Sequence, residues 1–229
     1  MALAIKRNGH PRLSEQLSID SAYSVITDLE AKAFNIQATK IYVDQLPWRT
    51  TATKIVKDLG LAIGQGYQSQ QLSRLISEKE ERLAMNSALA MLTYRSRSCE
   101  EIAGKLGKRG ISSEVVTTVI KNLESAGYLN DKVFAKTWIE ERVQVRGLGR
   151  HRIKKELLSK GVDPKTVDRE LETIYGQQEE EELALSLAKT RLSKYVGLDN
   201  IVKMRRLGQV LLRRGFSPAI TQKVLREII

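Results

Sequence analysis

A single cysteine, Cys99, leaves this chain without an internal disulfide, which fits a reducing compartment. Two histidines, His10 and His151, complete a very short supply of thiolate and imidazole donors, so no metal site is expected. Long apolar runs are also missing. Leu89-Ala90-Met91-Leu92 is typical of the longest, far below the length that crosses a bilayer, and Met1 to Ile5 is too short for a signal-peptide core. A cytoplasmic protein without membrane association is expected. Aromatic residues make up only 5% of the chain. Tyr128, Phe134 and Trp138 fall near one junction and read as core rather than as platforms for stacking bases.

Motifs of catalysis and cofactor binding are absent too. Gly104-Lys105-Leu106-Gly107-Lys108-Arg109 has the wrong spacing for a phosphate loop. Gly147-Leu148-Gly149 carries Arg152 where a dinucleotide fingerprint needs its third glycine, so it reads as a turn between helices. No G-x-S-x-G elbow occurs. Glu179 to Glu182 suit the dipole of a helix N-terminus better than a divalent ion. The chain is expected to be a non-enzymatic binding protein without cofactors.

Positive charge and repetition are what the chain does have. The net charge is +11. Residues 1–78 and 79–129 carry +2 each, 130–175 carry +3 and 176–229 carry +4, so the excess grows towards the C-terminal end. Such a surplus attracts phosphate backbones or acidic protein faces.

Self-similarity appears at a period near 50 residues. Gly110, Gly161 and Gly215 each follow Lys or Arg, with Leu106, Leu157 or Leu211 four residues before and Ile102, Ile153 or Leu207 eight before. That spacing is the stripe of a helix, which a left-handed glycine then ends. Ile111, Val162 or Phe216 follows and should fold back over the helix. Ser112, Asp163 and Ser217 suit the N-cap of the next helix, and Pro164 and Pro218 its first position. The inner face of that next helix reads as Val116, Ile120 and Leu123, then Val167, Leu171 and Ile174, then Leu225 and Ile228 with Thr221 in the first slot. An earlier helix aligns on Ala88, Ala135 and Ala184, with Arg95, Arg142 or Arg191 seven residues on. Ser98 and Glu101 have the spacing of a capping box. The expected fold is mainly α: three tandem three-helix repeats over 79–129, 130–176 and 177–229, stacked as an elongated, curved array.

Before the repeats, residues 1–21 read as a flexible tail and 22–78 as a small α+β extension. Ser24 to Ala33 and Ala38 to Val43 suggest a hairpin or three-stranded sheet turning at Asn35. Pro47 and Trp48 interrupt that pattern, a short helix over Thr51 to Leu59 closes at Gly60, and a second short helix spans about Ser69 to Ser77.

The candidate binding residues are basic. Arg142, Arg146, Arg150, Arg152, Lys154 and Lys155 surround a helix start in the second copy, and Lys203, Arg205, Arg206, Arg213 and Arg214 form a second cluster expected to extend the same surface. They suit a phosphate strand or an acidic groove. The alternatives are a solvated face with local ion pairs to Glu140, Glu141 and Glu156 and, for Arg95, Arg142 and Arg191, a structural role in which their stems cover the core of each copy.

Several of these runs resemble the RecX family, regulators of the bacterial recombinase RecA. Leu92-x-x-Arg95-Ser96-Arg97-Ser98-x-x-Glu101 is similar to the family's entry motif, and Gly127-Tyr128-Leu129-Asn130-Asp131-x-x-Phe134-Ala135 to its most recognisable run. Arg142, Gly147, Ile153, Glu156-Leu157, Lys160-Gly161-Val162 and Leu211-x-x-Arg214-Gly215-Phe216 continue the likeness across residues 80–229. Ile41-Tyr42-Val43-Asp44 resembles the N-terminal extension of longer members, and Gln45-Leu46-Pro47 departs from its turn. The resemblance implies a protein that binds RecA and the RecA–DNA filament and modulates filament growth, ATP hydrolysis, strand exchange and coprotease function; separately, a monomer is expected. Direct contact with single- or double-stranded DNA is a further expected partnership, and the alternative, carried by charge alone, is a RecA-independent helical nucleic-acid-binding protein that acts through phosphate contacts.

Overall fold

A computed structural model describes residues 23–32 and 35–228; the expected tail over 1–21 lies outside the described residues. Two compact units emerge. One gathers the described residues up to Asn86 with Leu106–Val116, and the other joins Ser87–Lys105 to the chain from Thr117 onward.

In the first unit, strands β1 (Tyr23–Lys32), β2 (Asn35–Val43), β3 (Leu46–Ala52) and β4 (Gly66–Gln68) form an antiparallel sheet in the order β3-β2-β1-β4. Asn35 opens β2 instead of standing in a turn. The β2–β3 hairpin turns on Asp44 and Gln45, both at positive φ (49° and 68°), the backbone of a type I′ turn. Neighbouring strand β1 holds this turn: Val25 N donates to Asp44 Oδ1 at 3.0 Å, and Gln45 N to Thr27 Oγ1 at 2.9 Å. The sheet has four strands, more than the expected hairpin or three-stranded sheet. β3 contains Pro47 and Trp48, which the sequence pattern treats as an interruption. The strand tolerates them because it lies at the sheet edge, where its register slips opposite Ile41 and Tyr42. Helix α1 (Thr53–Asp58) follows and closes before Gly60, at φ +62°.

Helix α2 (Ser69–Tyr94) corrects another expectation. The short helix placed over 69–77 continues without a break for 26 residues. Its buried stripe recurs at every fourth residue through Leu72, Ile76, Glu80, Ala84 and Ala88. The central member is a carboxylate, so apolar periodicity lapses near residue 78 although the helix does not. Glu80 is fully buried and saturated with donors: Arg49 Nη2 at 3.0 Å, Thr51 Oγ1 at 2.6 Å and Ser112 Oγ at 2.6 Å.

The repeats follow: α3 (Cys99–Lys108) and α4 (Ser113–Ser125), then α5 (Asp131–Gln144), α6 (Arg150–Ser159) and α7 (Pro164–Ile174), then α8 (Gln177–Leu192), α9 (Asn200–Arg214) and α10 (Pro218–Ile228). Gly110, Gly161 and Gly215 have φ of +81°, +78° and +93°. At each corner the glycine N–H bonds three residues back, at 3.0 Å. The next N–H bonds five back, at 3.3 Å from Ile111 to Leu106 O, 3.3 Å from Val162 to Leu157 O and 3.2 Å from Phe216 to Leu211 O. This is one Schellman motif made three times, and its apolar residue is buried each time. In α7 Val167 and Leu171 are buried and Ile174 partly so, as expected, while α4 and α10 depart slightly. Val116, Val119 and Leu123 are buried in α4, while Ile120 is only partly so; in α10 Ile220, Thr221 and Val224 are buried, with Leu225 and Ile228 partly so. The helix rolls so that the stripe centres one residue earlier than the chosen slots.

Candidate nucleic-acid and filament interface

The repeat corners position the basic side chains. Gly161 lies so close to α3 that an added Cβ would stand 2.3 Å from Glu100 Cβ, and one added at Gly215 would stand 2.3 Å from Arg152 Cβ at the start of α6. Backbone partners match: Ser98 Oγ donates to Lys160 O at 2.5 Å, and Gly149 N donates to Arg214 O at 3.0 Å. The corner of one copy therefore docks on the start of the middle helix of the copy before it, twice over.

At the first junction Ser98 Oγ also accepts from Glu101 N at 3.1 Å, half of a capping box. The other half is missing because the Glu101 carboxylate turns to Arg95 Nη2 (2.9 Å) and Lys160 Nζ (3.2 Å). Burial pushes this carboxyl upward, but those two cations outweigh it and hold its pKa at about 2. Lys160 Nζ also sits 4.4 Å from the centre of the Trp138 ring, and the Arg142 guanidinium stacks at 3.7 Å from it.

Arg142 is only 6% exposed. Its Nε donates to Glu156 Oε2 at 2.8 Å, and Nη1 lies 2.7 Å from Glu141 Oε1. Arg142 is thus a core residue, in keeping with the structural role open to it rather than with an exposed phosphate contact. Arg150 pairs with Glu172 at 2.7 Å, and its backbone N–H donates to Glu180 Oε1 at 2.9 Å. Glu180 is itself buried, and that burial raises its pKa. Lys154 pairs with Asp168 at 2.5 Å. Lys155, Arg205 and Arg206 are exposed and Lys203 partly so, the last 3.4 Å from Asn200 Oδ1.

Four candidates converge. Arg146, Arg152, Arg213 and Arg214 line one cavity of about 520 Å³ between the second and third copies, with Val145, Leu148 and Glu156. Arg214 Nη1 donates to Arg146 O. Among the described residues no carboxylate pairs with Arg146, Arg213 or Arg214, and Arg152 reaches Glu156 Oε1 only at 3.4 Å. Glu156 Oε2 is taken by Arg142 and by Trp138 Nε1, at 3.2 Å. Burial raises the Glu156 pKa, and Arg142 more than reverses the effect, so the group is a firm anion at neutral pH. The sequence groups both arginine clusters on one surface but does not show the cavity they share, since 68 residues separate Arg146 from Arg214. It read Glu156 as a local partner, which its i, i+4 spacing to Arg152 supports, and missed its place inside the cavity.

Cys99 offers no reactive thiol. Burial, then Asp131 and Glu124, push its pKa up to about 12. No group of metal ligands forms among the described residues, and no helix there is long and apolar enough to cross a membrane.

Residues 84–123, 130–171 and 178–225 match the first, second and third three-helix domains of RecX. The chain belongs to the RecX family. The regulatory protein RecX of Streptomyces lividans is 35% identical over 141 residues, 62% of this chain and 74% of that protein. The RecX of Halalkalibacterium halodurans is 24% identical over 209 residues, covering 90% of this chain and 78% of its own. A RecX crystal structure from Lactobacillus salivarius superposes with a TM-score of 0.61 at 25% identity, over 66% of this chain and 97% of the other. A second RecX crystal structure covers 88% of this chain and 98% of its own with a TM-score of 0.60 at 21% identity, a likeness of fold. These matches bear out the mainly α fold with three tandem three-helix domains.

Proposed function

We propose that this RecX-family chain is a regulator, not an enzyme, that acts in the cytoplasm as a monomer on the RecA recombinase and its DNA filament. It restrains filament extension, ATP hydrolysis, strand exchange and coprotease function. The observation that carries this reading is family membership together with a cluster of four arginines at the junction of the second and third domains, three of which pair with no carboxylate among the described residues. A polyanionic assembly, or an acidic groove upon it, is what such a surface attracts. Arg146, Arg152, Arg213 and Arg214 are the contacts favoured within it, and Lys155, Lys203, Arg205 and Arg206 extend the basic surface.

The test is RecA ATPase and strand exchange on DNA with the chain added in rising amounts. Inhibition at stoichiometric or lower amounts is expected. A folded chain that leaves both rates unchanged refutes the proposal, and strong DNA binding that RecA does not enhance would instead identify a RecA-independent nucleic-acid-binding protein.

A further inference from the structure

We infer that the arginine cavity between the second and third domains is a binding site for nucleic-acid backbone phosphates, and that Glu156 is its internal competitor. The inference deepens the preceding reading by naming the ligand of the same surface.

Charge is the first argument. Four guanidinium groups face one carboxylate in a cavity of about 520 Å³. That carboxylate is already matched by Arg142, which approaches from the protein interior. The positive charge facing solvent is therefore largely uncompensated.

Geometry is the second. A guanidinium presents a planar fork of donors that suits two oxygens of one phosphate. Arg214 is held to the Arg146 carbonyl, so part of the cavity wall is fixed before a ligand arrives. Arg206 is exposed two turns up α9 from Arg213, roughly 10 Å along the axis. Phosphates recur at about 3.4 Å of axial rise along one strand, so a chain entering the cavity would bring a further phosphate near Arg206. A repeating polyanion fits this layout better than a single small anion does.

Chemistry of the lining is the third. Among the described residues the uncharged side chains of the lining are Val145 and Leu148 and no aromatic ring takes part, so none of them can stack a base. Contact would be to the backbone and indifferent to sequence.

Glu156 gives the site its restraint. Arg152 rests on Glu156 Oε1 at 3.4 Å, a long bond, while Oε2 is held by Arg142 at 2.8 Å. An entering phosphate draws Arg152 away and leaves Glu156 still paired from inside. The carboxylate thus weakens anion binding by its charge and by occupying Arg152.

The experiment is fluorescence anisotropy of a labelled short duplex DNA across a salt series, without RecA, using the full chain. Unlabelled DNA and polyglutamate serve as competitors, and circular dichroism checks each variant. Arg146→Ala combined with Arg213→Ala should weaken binding about tenfold to a hundredfold and reduce the salt slope by about 1 to 2. Glu156→Gln should tighten binding about threefold to tenfold through the lost repulsion. Wild-type affinity and slope in the folded double-arginine variant overturn the inference. So does failure of the wild-type chain to bind duplex, or displacement by polyglutamate as readily as by DNA, which would mark an acidic protein ligand. RecA inhibition is read separately. Arginine-dependent DNA binding without RecA inhibition sinks the regulatory reading alone, and inhibition without that binding sinks the phosphate site alone.

Discussion

Thr221 shows how one residue departs from a rule its neighbours keep. It stands six residues after Gly215, where the other copies have Val116 after Gly110 and Val167 after Gly161. All three positions are buried, but the Thr221 hydroxyl has no hydrogen-bond partner. A buried polar atom left unpaired costs about 1–3 kcal/mol, and valine has nearly the same shape. Thr221→Val should therefore raise stability by about 1 kcal/mol in urea unfolding, an effect opposite to the usual sign for core substitutions. An unchanged or lowered midpoint would show that the hydroxyl is satisfied in solution. Glu80 is the opposite case, a buried carboxylate whose oxygens receive three side-chain donors, and it was legible in sequence only as a gap in an apolar stripe.

Among the elements, the helix corner is what the sequence specifies most fully. Basic residue, glycine and apolar residue recur because the last turn needs a cation, a left-handed backbone and a hydrophobic lid. The cap after it is equally local: Asp163 accepts from Thr166 N at 3.0 Å, and Ser217 Oγ from Ile220 N at 3.1 Å. What the corner touches is a separate matter, and two glycines isolate it. Gly127 (φ +76°) has open space where a Cβ would go, whereas Gly161 (φ +78°) is pressed against Glu100. Gly127→Ala should cost about 1–2 kcal/mol, the penalty of the left-handed conformation alone. Gly161→Ala should cost about 1–3 kcal/mol more, because the packing against α3 must open. Equal losses in the two variants would mean that the close approach contributes nothing. The third copy differs at the equivalent surface. α9 begins 15 residues before its glycine, where α3 and α6 begin 11 before theirs. The middle helix of the third copy is thus about one turn longer at its N-terminal end.

At the scale of the unit from Ser87–Lys105 and Thr117 onward, charged groups link one domain to the next. Arg95, Glu101, Lys160, Trp138, Arg142, Glu156 and Arg152 are in successive contact from the first copy to the edge of the third. Glu101 makes this ladder sensitive to acid. Its folded pKa of about 2 lies below the ordinary 4.5, so the folded state binds the proton less readily than the unfolded state. Its stabilising effect is complete above pH 4.5 and is lost as the pH falls towards 2. Glu180 acts in the opposite sense, since its raised pKa means that protonation relieves a cost of burial. Glu101→Gln should lower stability by about 1–2 kcal/mol at neutral pH and flatten the decline between pH 4.5 and 2. A variant that keeps the wild-type acid slope would place the titrating group elsewhere.

The amino-acid sequence by itself determined the positive surplus, which is a simple sum, and the helix ends at the repeat corners with their caps, because each of these depends on residues within a turn or two of one another. It marked Leu106, Leu157 and Leu211 as core for the same reason. Only the tertiary structure decided which arginines are available. Arg142 is drawn into the core by Trp138 and Glu156, Arg150 and Lys154 are neutralised by acids from α7, and Arg146 meets Arg213 and Arg214 because one glycine corner packs on the start of α6. Those partnerships join positions far apart along the chain, and no local spacing records them. The edge strand with Pro47 and the helix passing through Glu80 were hidden likewise, since the neighbours that accommodate them are supplied by folding.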